Sequence, residues 1–167
     1  LTIKMKKQEA GTQKALYIPI FNTAYELYID GKYAGGAGKI GTSKEAMRPQ
    51  YLPQTYYFTP KADTVDVVIQ TSNFYHMKSG IRHEMIYGDA SLVSKMTDKQ
   101  IVKDSFLIGV FLLITIYHIS FYFNKKREVR SLVFGIINFV IAVRISLIRQ
   151  ALLYQFFPNF HWTLGLK

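Results

Sequence analysis

The chain has 167 residues, of which 49 % are hydrophobic and 15 % aromatic, with a formal net charge of +10 and no cysteine. The lack of cysteine excludes disulfides and thiol chemistry. The charge does not form a nucleic-acid footprint, because residues 1–104 hold 14 Lys and Arg against 10 Asp and Glu (net +4), whereas residues 105–167 hold 7 against 1 (net +6) among the most apolar stretches.

Residues 1–90 read as all-β. Leu1–Met5 alternates apolar and polar residues, and Ala15–Phe21 and Tyr25–Ile29 are rich in aromatic and β-branched side chains. Asp30-Gly31 then marks a hairpin turn into Lys32-Tyr33-Ala34. Tyr51–Phe58 is another aromatic strand, with Pro53 marking an edge or a bulge. Val65–Thr71 is the clearest strand, and Ile81–Tyr87 is the next. Short strands separated by turn signals, with no long amphipathic helix among them, point to a β-sandwich.

Three patterns in this half suggest chemistry that their context does not support. Gly36-Ala37-Gly38-Lys39-Ile40-Gly41 matches a phosphate-binding glycine loop, yet Pro49 and Pro53 follow where a helix would have to begin, so it reads as a loop between strands. His76, His83 and Glu84 lack a recognised metal-ligand spacing. Glu26, Asp30, Glu45 and Glu84 are carboxylates that sequence alone cannot place at the separation glycoside hydrolysis needs. The reading therefore assigns no catalytic residue, no metal and no cofactor.

Ser91–Asp104 is polar, free of Pro and Gly, and compatible with a helix that continues into the apolar region. Phe106–Phe123 follows without a single Asp, Glu, Lys or Arg, and Ser131–Ile148 is interrupted only by Asn138 and Arg144. Each is about long enough to cross a hydrocarbon core as a helix. The other reading, a buried hairpin of a soluble protein, requires helices that stay apolar all round for five turns. Between the two runs, Asn124–Arg130 holds four Lys and Arg in seven residues, which fixes this loop as cytoplasmic and the first hundred residues as outside. Leu1 has no signal segment before it, and the aromatic, Pro-broken stretch Phe157–Trp162 reads as an outer interface, so the chain is expected to be a piece of a longer protein.

The order of these pieces carries a resemblance. The string Tyr25–Gln54 (YELYIDGKYAGGAGKIGTSKEAMRPQYLPQ), the string Val65–Gly88, a span holding Gly109 and Tyr117-His118, a basic turn, Leu132-Val133-Phe134-Gly135 and Arg144 follow one another. In that order they resemble the bacterial seven-transmembrane receptors with diverse intracellular signalling modules. The resemblance covers roughly residues 15–165 and implies an all-β jelly-roll ectodomain similar to galactose-binding modules, followed by an α-helical transmembrane hairpin from a larger bundle. It implies a sensor domain over residues 1–90, a helix-like linker over 91–104, and the first two spans and the next outer loop over 105–167. The output, such as a cyclase, kinase or phosphatase, would lie beyond Lys167.

Within that resemblance, the loop after the strongest strand is the candidate ligand site. Asn73, His76 and Lys78 beside exposed aromatics suit a small polyhydroxylated molecule or carbohydrate, although Asn73 equally suits a turn cap. His118 and Arg144 are candidates for transmembrane signalling, being costly in lipid; for Arg144 the alternative is snorkelling to the interface. The expected partners are the lipid bilayer and that ligand, with no nucleic acid, and a homo-oligomer is left open. The expected location is the cell membrane, multi-pass, with the N-terminal domain outside. The competing readings are an accessory module of a membrane-tethered carbohydrate-active enzyme, and a transporter or assembly component.

Overall fold

In the computed structural model, residues 1–4, 11–77, 80–81, 83–124, 128–148 and 151–156 are described. The basic residues 125–127, the candidate ligand residue Lys78 and the aromatic stretch 157–162 lie outside them. The chain divides into two compact units after Thr97.

Among the described residues the first unit contains nine strands: β1 (Thr2–Lys4), β2 (Lys14–Ile18), β3 (Phe21–Asn22), β4 (Ala24–Ile29), β5 (Lys32–Ala37), β6 (Gln54–Phe58), β7 (Thr64–Ser72), β8 (Gly80–Ile81) and β9 (Ile86–Asp89). They form three antiparallel sheets in the orders β1-β7-β4-β5, β6-β2-β9 and β3-β8. Period-two alternation explains the main core. Tyr25, Leu27 and Ile29 of β4 and Val65 and Val67 of β7 are buried, and they share one apolar cluster with Leu16 and Ile18 of β2 and Tyr56 of β6. Each large side chain removed from water there contributes about 1.5–3 kcal/mol.

Strand β2 is buried along its whole length. Its Leu16 and Ile18 enter the main cluster, while Ala15 and Tyr17 form a second cluster with Ile86, Ala90 and Val93. The last two of these belong to α1 (Ala90–Asn124), which starts at the residue after β9 ends. Lys14 Nζ donates to Asp89 Oδ1 at 2.6 Å, and Ala90 N donates to Gln13 O, so the strand-to-helix junction is tied at three points to β2 and the residue before it.

Three strand expectations shift, each for a physical reason. Ala15–Phe21 divides into β2 and β3 at Pro19, which has no N–H for a ladder, and Tyr51–Phe58 starts only after Pro53. Ile81–Tyr87 also divides, because its start pairs with β3 and its end with β2. The Asp30-Gly31 turn is found as read: both residues have positive φ, 49° and 73°, the combination a two-residue hairpin loop requires. Gly35, at φ 145°, lies against Tyr56, and a Cβ there would fall 2.5 Å from the ring.

The second unit contains the remainder of α1, then α2 (Val129–Leu147) and α3 (Leu152–Phe156). The expected helix 91–104 and first span are one 35-residue helix. It is about 52 Å long. Both α1 and α2 are long and apolar enough to cross a membrane. The buried residues of α2 are Ser131, Gly135, Asn138, Ala142 and Leu147, mostly small and spaced three to five apart, as in helices that pack without large side chains between them. Against α1, a Cβ on Gly135 would lie 3.4 Å from His118 Cβ and from Ile119 Cγ1. Large apolar side chains such as Phe106, Leu113, Ile116, Phe134 and Val140 are exposed instead. A soluble helical hairpin would bury these side chains.

Candidate functional site

The expected ligand loop follows β7 and is shaped from within by Asn73. Its Oδ1 accepts from the backbone N–H of His76 at 2.9 Å and of Tyr75 at 3.3 Å and from Thr23 Oγ1 at 3.3 Å, while its Nδ2 donates to His76 O at 2.6 Å. The amide is thus committed to the loop. What the loop presents outward is Phe74, Tyr75 and the fully exposed Met77, with His76 half-buried.

A second loop meets it. Gly41 N donates to Ser72 Oγ, Tyr75 Oη donates to Lys44 O at 3.1 Å, and Lys44 Nζ sits 5.2 Å from the centre of the Tyr75 ring. The glycine-rich stretch supplies this approach: a Cβ on Gly38 would meet Arg48 O at 2.4 Å and one on Gly41 would meet Met47 N at 2.8 Å. The segment ends β5 and leads through a short Lys39–Arg48 bridge to β6, and no helix follows it. At the tip of the same loop, a hydrogen bond from its own backbone N–H and one from Ser43 hold the Glu45 carboxyl below its ordinary pKa. Lys44, which contacts the candidate loop, carried no sequence signal, since nothing local says that residues 44 and 75 meet.

The outer face of the four-stranded sheet holds a further set. Tyr28 and Tyr33 are register partners with ring centres 5.7 Å apart, and Tyr33 is 62 % exposed. Tyr28 Oη donates to Glu26 Oε2 at 2.9 Å, a bond that holds the phenol above its ordinary pKa. Glu26 in turn is paired across the sheet with exposed Gln70. The alternation of Ala24–Ile29 was the signal for this face, since burying Tyr25 and Leu27 turns Glu26 and Tyr28 outward. Among the described residues no group of three or more His, Asp or Glu is placed to hold a metal ion, and His83 and Glu84 are exposed.

In the second unit, His118 and Ser131 join α1 to α2. Ser131 Oγ donates to His118 O at 3.1 Å and lies 3.0 Å from His118 Nδ1. The single hydroxyl proton serves the carbonyl, so Nδ1 is the donor to Ser131. The ring of Phe134 lies edge-on to the imidazole, with centres 4.7 Å apart. Asn138, the other polar interruption, donates to Phe134 O one turn back. Arg144 lies in the last turn of α2, exposed, where a cation complements the carbonyl end of the helix; among the described residues it has no hydrogen-bond or ion-pair partner. His118 and Arg144 are therefore not brought together.

A groove of about 280 Å³ opens beside this pair, lined by Tyr117, His118, Phe121, Glu128, Arg130, Ser131 and Phe134. Comparison with protein-family models, with curated proteins and with solved structures finds no match to this chain.

Proposed function

We propose that the chain is the sensing and membrane-entry part of a bacterial receptor, with a β-domain outside the cell and α1 and α2 crossing the membrane. In this reading residues 1–90 form a jelly-roll sandwich, residues 91–104 link it to the membrane, and the output lies in regions beyond these residues. The observation that carries the reading is α1. One helix starts at the residue after the last strand ends, is anchored there by Lys14–Asp89 and Val93, and continues without a break into an apolar stretch. A ligand that favours one arrangement of the sheet biases that helix directly, and the bias equals its differential affinity for the two arrangements.

The ligand we assign is a carbohydrate, held where the two loops meet, with Phe74 and Tyr75 as stacking rings and Lys44 and His76 as polar contacts. The sheet face at Tyr33 is the second reading, favoured by the Tyr28–Glu26 hydrogen bond beside an exposed ring. The test is a glycan panel against the chain in lipid nanodiscs. The parent is expected to bind with a dissociation constant of about 1 mM to 1 μM. Tyr75→Ala is expected to weaken this about tenfold and Tyr33→Ala to leave it unchanged. The opposite pattern moves the site to the sheet face, and a parent that binds no glycan removes the carbohydrate assignment.

A further inference from the structure

The groove at the loop end of the helical hairpin combines an aromatic wall with a cationic rim. One wall is aromatic, made by Tyr117 and Phe121 of α1 and Phe134 of α2. At its rim stands Arg130, whose side chain is 92 % exposed and whose only described ionic contact is a single 3.4 Å approach to Glu128. A guanidinium has five N–H donors, so this contact leaves most of its hydrogen-bonding capacity unused. The surrounding sequence, Asn124–Arg130, has four cations and one anion, and α1 and α2 also expose apolar residues such as Ile116 and Ile137.

We infer that this groove binds one anionic phospholipid, with the phosphate on Arg130 and the first carbons of an acyl chain along Tyr117, Phe121 and Phe134. The inference rests on the membrane reading above and adds a ligand to it. Charge complementarity selects the occupant. A helix from a second copy would cover the aromatic wall but make no use of the exposed guanidinium, whereas a phosphodiester attached to an acyl chain uses both surfaces. The cytoplasmic leaflet supplies such lipids, and a basic residue at a helix end is placed at headgroup depth. His118 lines the same groove and is hydrogen-bonded to Ser131, so an occupied groove bears on a contact that joins α1 to α2.

The test uses the whole chain in vesicles of phosphatidylglycerol and phosphatidylcholine, followed by extraction into mild detergent and native mass spectrometry of retained lipid. The parent is expected to retain phosphatidylglycerol in preference to phosphatidylcholine. Arg130→Gln should lower the retained phosphatidylglycerol about fivefold. Phe121→Ala should lower both lipids, and Lys61→Gln, an exposed cation of the first unit, should change neither. Equal retention of the two lipids by the parent, or full retention by Arg130→Gln, overturns the site while the membrane reading stands. Dimers that form without phosphatidylglycerol and exclude lipid overturn it in favour of a second copy. A chain that does not float with the vesicles overturns both readings.

Discussion

Asn73→Ala separates a residue that builds the candidate loop from one that touches a ligand. The substitution removes an acceptor serving His76 N, Tyr75 N and Thr23 Oγ1 and a donor to His76 O. A net hydrogen bond contributes about 0.5–1.5 kcal/mol, and the freed backbone groups lie in a loop that water reaches, so the low end applies and the four bonds together are worth about 2 kcal/mol. For a unit of this size that lowers the melting temperature by roughly 8–16 °C. Asn73→Asp keeps the three acceptor contacts, loses only the donation to His76 O, and is expected to cost about a quarter as much. The assay is thermal unfolding of the chain in mild detergent, followed by the β-sheet circular dichroism signal, with glycan binding measured alongside. A melting temperature unchanged by Asn73→Ala refutes the internal role, and unchanged melting together with lost binding assigns Asn73 to the ligand.

Burial, with their shared hydrogen bond, pushes the Tyr25 phenol up, and burial pushes up that of Tyr56. Below about pH 10 neither state is ionised and these groups give no pH dependence; above it the unfolded chain ionises first, so stability falls by up to about 1.4 kcal/mol per pH unit per phenol. Urea midpoints between pH 8 and pH 11.5 should show that fall in the parent and a shallower one in Tyr25→Phe/Tyr56→Phe. Asp89→Ala strips the carboxylate from Lys14, whose side chain is 7 % exposed, and should cost about 1.5–3 kcal/mol, whereas Lys14→Met leaves a half-exposed Asp89 in water and should cost less than 1 kcal/mol in the same melts. Gly135→Leu places a side chain against His118 and Ile119 of α1 and should destabilise the hairpin by about 1–3 kcal/mol, read as a lower melting temperature of the helical signal.

The elements were legible where one force acts alone. Val65–Thr71 alternates because one face is buried, Asp30-Gly31 announces its turn because few residues accept positive φ, and the two long apolar helices declare themselves by length and lack of charge. Ile81–Tyr87 reads as one strand because pairing partners are not a local property, and its two ends join different sheets. The same limit applies to the site. Asn73 was visible both as a cap and as a ligand residue, and the hydrogen bonds that commit its amide to the loop involve Thr23, fifty positions away. Lys44 meeting Tyr75 and His118 meeting Ser131 are likewise contacts between residues whose sequence neighbourhoods say nothing of each other.

Single-cysteine labelling tests the central claim most directly, since the chain has no cysteine of its own to interfere. Lys61→Cys stands in the β-domain and Asn124→Cys at the end of α1, and both positions are exposed. In intact bacterial cells an impermeant maleimide is expected to label Lys61→Cys at once and Asn124→Cys only after the membrane is opened. Labelling of both positions in intact cells would mean that α1 does not cross the membrane, and would contradict the account of a sensing domain joined by one helix to a transmembrane hairpin.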